Sequence, residues 1–124
     1  MKGMTPRQFE QLVADALTIV PEELRSYMDN VQIVIEEEPS AELLDDLAIP
    51  EDETLFGLYS GTPLTERGSD YTALPDRITV FQRPLLEEFD DPLDIRREVA
   101  RTVIHEIAHH FGINEERLVE LGWD

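Results

Sequence analysis

Apolar residues recur at helical spacing in two long stretches of the chain. In the first, Phe9, Leu12, Val13, Ala16, Leu17 and Val20 follow i, i+3, i+4, i+7, i+8 and i+11. That is the stripe of an amphipathic helix. Thr5-Pro6 supplies an N-cap followed by Pro at N1, and Pro21 marks the end. In the second stretch Ile95, Val99, Val103, Ile107 and Phe111 are spaced by four, and Ala100, Ile104 and Ala108 widen the stripe. Asp91-Pro92 repeats the start signal, with Asp94 at N3 beside the positive end of the helix dipole, and Gly112 is the stop. Shorter helical turns are predicted at Pro21 to Leu24, Ala41 to Leu47 and, after the N-cap Asn114, Glu115 to Leu121.

Strand patterns lie between the two long helices. Val31, Ile33 and Ile35 alternate with Gln32 and Val34, and Thr54 to Ser60 reads as a second strand. Arg77 to Gln82 reads as a third, stopped by Pro84 and followed by a helical turn at Leu85 to Phe89. The acidic stretch from Glu36 to Glu53, punctuated by Pro39 and Pro50, is loop outside its one short helix. Residues 61 to 76, with Gly61, Pro63, Gly68 and Pro75, read as a long loop.

The chain has 124 residues, which fits one domain spanning 1–124, and it shows no repeat or linker. It contains 10 Lys+Arg, 28 Asp+Glu, 3 His and no Cys, for a net charge of −18. Without Cys there is neither a disulfide framework nor a thiolate metal site. The acidity argues against nucleic acid and anionic membranes, and favours cationic partners and divalent ions. No apolar run approaches a membrane span and no signal-peptide stretch precedes the first helix, so a cytoplasmic protein is expected.

All three histidines fall within His105-Glu106-Ile107-Ala108-His109-His110, on the second long helix. Residues i and i+4 lie about 40° apart around a helix and one turn apart along it, so His105 and His109 can reach one metal ion. Glu106, about 100° to the side, can contact a water on that ion rather than the ion itself. Both histidines fall outside the apolar stripe, whereas His110 turns toward it, which favours a structural role. Zinc suits imidazole and carboxylate donors. It would lower the pKa of water, with Glu106 as general base. The motif continues His109-x-x-Gly112-x-x-Glu115, and after a reversal at Gly112 the Glu115 carboxylate is the expected third ligand, with Glu116 and Glu120 as the alternatives.

From His105 to Gly122, HEIAHHFGINEERLVELG resembles the minimal zincin family of small bacterial zinc metallopeptidases, as do Leu55 to Gly68 and Arg77 to Leu86. The resemblance implies a zincin-like α+β fold: a small twisted sheet packed against an N-terminal helix and the helix that carries His105, Glu106 and His109. It also implies zinc as cofactor and a peptide or small amide as substrate. The family commonly has Asp where this chain has Glu115. In zincins an edge strand above the site pairs with extended substrate. Leu55 to Ser60 is the candidate here, with Gly57 allowing close approach. Tyr59, Arg67 and Tyr71 are candidate substrate-binding residues able to stabilise an oxyanion. The rival expectation is a non-catalytic zinc-binding domain that engages partners through its acidic surface. The sequence leaves oligomeric state open.

Overall fold

The computed structural model describes residues 3–61 and 76–123. Helix α1 (Pro6–Thr18) starts where expected. The Thr5 hydroxyl accepts from the Gln8 amide, and the Gln8 side chain accepts from the Thr5 amide. This reciprocal capping satisfies two amides that lack a partner within the helix. Phe9, Leu12, Val13 and Ala16 form its buried face. A short helix α2 (Glu22–Arg25) and a 3-10 turn (Ser26–Met28) lead into strand β1 (Val31–Glu36). Helix α3 (Ala41–Asp46) follows, capped by Ser40.

Strand β2 (Gly57–Ser60) is shorter than its predicted range, beginning three residues after Thr54. It pairs with strand β3 (Asp76–Phe81), and the Phe81 amide donates to the Phe56 carbonyl at 2.8 Å. Beyond that bond β3 turns into a helix, so Thr54 and Leu55 have no strand to pair with. That helix, α4 (Gln82–Glu88), corrects the expectation that Pro84 acts as a stop. Pro84 is the third helical residue, where an amide would have no partner inside the helix anyway.

The sheet order is β1-β3-β2, with β1 parallel and β2 antiparallel to the central β3. Among the described residues β2 is therefore an edge strand. Ile78 and Val80 of β3 are fully buried. Helix α5 (Pro92–Phe111) lies against the sheet and α1. Asp91 caps it by accepting from the Leu93 amide at 2.9 Å. Ile95, Val99, Val103, Ile104 and Ile107 are inaccessible to solvent. Phe111, expected on that stripe, is instead 40% exposed and packs at a tilt against Tyr27 with ring centroids 4.9 Å apart.

Helix α5 stops at Gly112, whose φ of +72° is in the left-handed region. A residue with a Cβ is strained there, and Gly is not. The Ile113 amide then returns to the Ala108 carbonyl at 2.8 Å. This turn launches the last helix, α6 (Glu115–Glu120), capped by the Asn114 side chain. No helix among the described residues is long and apolar enough to cross a membrane.

Candidate metal centre

The last two turns of α5 carry His105, Glu106 and His109. His105 and Glu106 are half-buried and His109 is exposed. All three face away from the sealed side of the helix. They also sit near its C-terminal end, where the helix dipole favours positive charge.

Glu106 is positioned by β2. Its carboxylate accepts from the Tyr59 main-chain N–H at 3.3 Å. In an antiparallel pair, residues that exchange ladder bonds alternate with residues that do not. The Phe81-to-Phe56 bond sets the phase, so Leu58 also faces β3 while the main-chain groups of Gly57 and Tyr59 point away from β3. Glu106 therefore meets β2 on the side away from β3. Burial raises the Glu106 pKa, against the smaller opposing pulls of the Tyr59 N–H and then of His109 and His105. Glu98, two turns earlier on α5, is likewise raised by burial against Arg101 and His105.

Gly57 makes this approach possible. A Cβ there would meet Thr102 Cγ2 of α5 at 2.6 Å and the Thr79 carbonyl oxygen at 2.9 Å. The close approach expected at Gly57 is thus to the protein's own helix. Beside it opens a cleft of about 230 Å³ lined by Phe56 and Gly57 and, from α5, by Glu98, Arg101, Thr102, His105 and Glu106. Clefts of similar size beside Arg83 and between α1 and α5 contain no histidine.

Tyr59 is a hub. Its hydroxyl donates to Asp76 Oδ2 at 2.5 Å. Its ring stacks on His110 with centroids 3.9 Å apart, and Phe111 meets it edge-on. His110 is exposed rather than packed in the core, and its ring meets both Tyr59 and, edge-on, Phe111. What Tyr59 presents to Glu106 is its main-chain N–H. Arg67 and Tyr71 lie outside the described residues.

His105 has a partner that sequence reasoning missed. Its Nε2 lies 3.1 Å from the Trp123 carbonyl oxygen. A signal was available: Gly122 follows the last predicted helix, and Gly after a helix reverses the chain. Asp76, which holds the Tyr59 hydroxyl, had no such signal.

Two imidazoles at i and i+4 on an accessible helix face are a donor set suited to zinc. Glu115 is exposed on the first turn of α6. Among the described residues, no group of three or more His, Asp or Glu side chains is gathered closely enough to hold an ion. The structure thus presents the two-histidine face with its adjoining carboxylate, and leaves Glu115 apart from it.

The comparisons with known proteins agree with this architecture. A family model described as zincin-like metallopeptidase matches residues 28–123. No curated protein matches significantly. Among solved structures, a conserved hypothetical protein from Thermo thermophilus is 24% identical, with a TM-score of 0.54. The match covers 94% of this chain and 98% of the other, and speaks to the fold alone.

Proposed function

This chain belongs to the zincin-like metallopeptidase family, and on that premise we propose that it is a zinc-dependent hydrolase of peptide or small amide bonds. In this reading His105 and His109 hold the metal and Glu106 is the general base. Glu115 is the third ligand, reaching the metal by a move of its exposed side chain. Zinc, when bound, supplies a Lewis acid for the scissile carbonyl and lowers the pKa of water toward about 7.

The observation that carries the reading is the Glu106 carboxylate. It stands beside two imidazoles, hydrogen-bonded to the main chain of β2, with its pKa raised by burial. A general base works best when its pKa approaches the operating pH, and burial moves Glu106 in that direction. A carboxylate beside the histidines has no part in a purely structural zinc site. Substrate would lie along β2, on the side of the strand that faces Glu106 rather than β3. The peptide carbonyl would take the Tyr59 N–H from Glu106 and leave the carboxylate free to accept a proton. The Tyr59 hydroxyl is engaged by Asp76, so Arg67 and Tyr71 are the side chains proposed for the oxyanion.

The test is a peptide-library digest with zinc-loaded wild type and zinc-loaded Glu106→Gln. Cleavage by the wild type, reduced on the order of 10²–10⁴-fold in the variant, is expected. Equal cleavage by both removes Glu106 as the base. Zinc-loaded wild type that cleaves nothing would favour the other reading, a zinc-binding domain that engages partners through its acidic surface.

A further inference from the structure

The cleft between α1 and the first turns of α5 encloses about 320 Å³ and shares no residue with the cleft beside Glu106. Met4, Leu12 and Leu93 give it apolar walls, and Leu93 is 61% exposed. An exposed leucine alone needs no explanation. This one borders a cleft that also holds an unsatisfied cation.

That cation is Arg96. Its Nε is closed off from solvent and has no hydrogen-bond partner among the described residues. Buried N–H groups nearly always have a partner, and one without it carries its full desolvation cost. The neighbouring polar side chains are engaged with one another or with the main chain. Gln8 accepts from the Thr5 amide, and Gln11 donates to Asp15 at 3.0 Å. No carboxylate among the described residues ion-pairs with Arg96. Arg83, beside another cleft, differs: Glu37 and Glu38 hold it.

We propose that this cleft binds a small monocarboxylate with an alkyl body, its carboxylate on the Arg96 guanidinium and its chain on Met4, Leu12 and Leu93. Nε and a neighbouring Nη form one edge of the guanidinium, and that edge matches the two oxygens of a carboxylate. Since Nε is out of reach of solvent, binding turns the outer part of the Arg96 side chain toward the carboxylate. A second carboxylate on the ligand would face Asp15, and an ammonium head would face Arg96, so a single negative charge fits best. The net charge of −18 opposes any anion from afar. At physiological ionic strength, however, charges more than about 8 Å away are largely screened. The proposal is independent of the zinc reading.

The experiment titrates ¹⁵N-labelled full-length chain, without added metal, with octanoate, butanoate, 1-octanol and octylammonium. Wild type and Arg96→Gln are compared by their amide shifts at neutral pH. Octanoate should shift the amides of Met4, Leu12, Leu93 and Arg96 saturably. Butanoate should bind at least about 10-fold more weakly, because it has less apolar surface to bury. 1-Octanol should also bind about 10-fold more weakly than octanoate, because it lacks the charge-assisted bond. Arg96→Gln should weaken octanoate by a similar factor and leave 1-octanol unchanged.

Equal affinity for octanoate and 1-octanol overturns the proposal, as does octylammonium binding as tightly as octanoate. So does unchanged octanoate affinity in a folded Arg96→Gln. Shifts confined to other surfaces, or no saturable shift below the micelle threshold of octanoate, overturn it too. If Arg96→Gln does not fold, the ranking of the four probes on wild type decides alone.

Discussion

Along α5, Ile95, Val99, Val103, Ile104 and Ile107 are inaccessible to solvent, while Arg101 and His109 are exposed and Thr102, His105 and Glu106 are half-buried. The first set is defined by volume: each side chain fills space between α1, the sheet and its neighbours. The second is defined by direction: its side chains turn from the core, and Arg101, Thr102, His105 and Glu106 line the cleft beside β2. The contrast within one helix separates what keeps the fold from what can perform chemistry. It also shows where the two conflict, because Glu106 is partly desolvated in a position that stability alone would assign to a neutral residue.

Truncation on the sealed face should have the largest effect. Ile104→Ala removes a fully buried side chain and should destabilise the protein by about 2–5 kcal/mol in denaturant melts. A loss comparable to that of a surface substitution would mean that this face is not a packed core. At the border between the faces, Gly57→Ala should cost about 1–3 kcal/mol, because the new methyl meets Thr102 Cγ2 and the Thr79 carbonyl. Adding Thr102→Ser should recover only part of that loss, since the Thr79 carbonyl is main chain.

On the open face the expected change is smaller and opposite in sign. The folded-state pKa of Glu106 is raised, so the folded protein holds its proton more tightly than the unfolded chain. Stability from this group is greatest at low pH and declines as pH rises from the unfolded value to the folded one. Metal-free Glu106→Gln should therefore be the more stable protein at neutral pH. Its margin over wild type should shrink as pH falls through that window in paired thermal melts. A variant less stable than wild type at neutral pH would mean that the carboxylate's hydrogen bond with Tyr59 outweighs its burial.

The sealed face is the more legible in the sequence, because burial imposes a period on the residue pattern. The Phe9 to Val20 and Ile95 to Ala108 stripes, both Pro-containing N-termini and the Gly112 stop all follow from local spacing. Local spacing also places His105, Glu106 and His109 on one accessible face. Where sequence and structure part, the causes are of another kind. A lone Pro84 reads as a stop, because nothing local reveals that β3 ends at Phe81 and leaves Pro84 inside the first turn of a helix. TLFGLYS is strand-like throughout, whereas the length of β2 is set by where β3 ends. Contacts between distant segments leave little trace: Tyr59 with Glu106 and Asp76 is set by tertiary packing, whereas Gly57 and Gly122 mark only that a close approach or a reversal occurs, not its partner.

The central claim is that the open face of α5 is a zinc centre built on His105 and His109, and metal stoichiometry tests it most directly. Wild type and Glu106→Gln, reconstituted and desalted, should each carry one zinc per chain by elemental mass spectrometry. His105→Ala and His109→Ala should lose it while keeping their thermal midpoints when metal-free. Full zinc occupancy in His109→Ala, or none in the reconstituted wild type, would contradict the account.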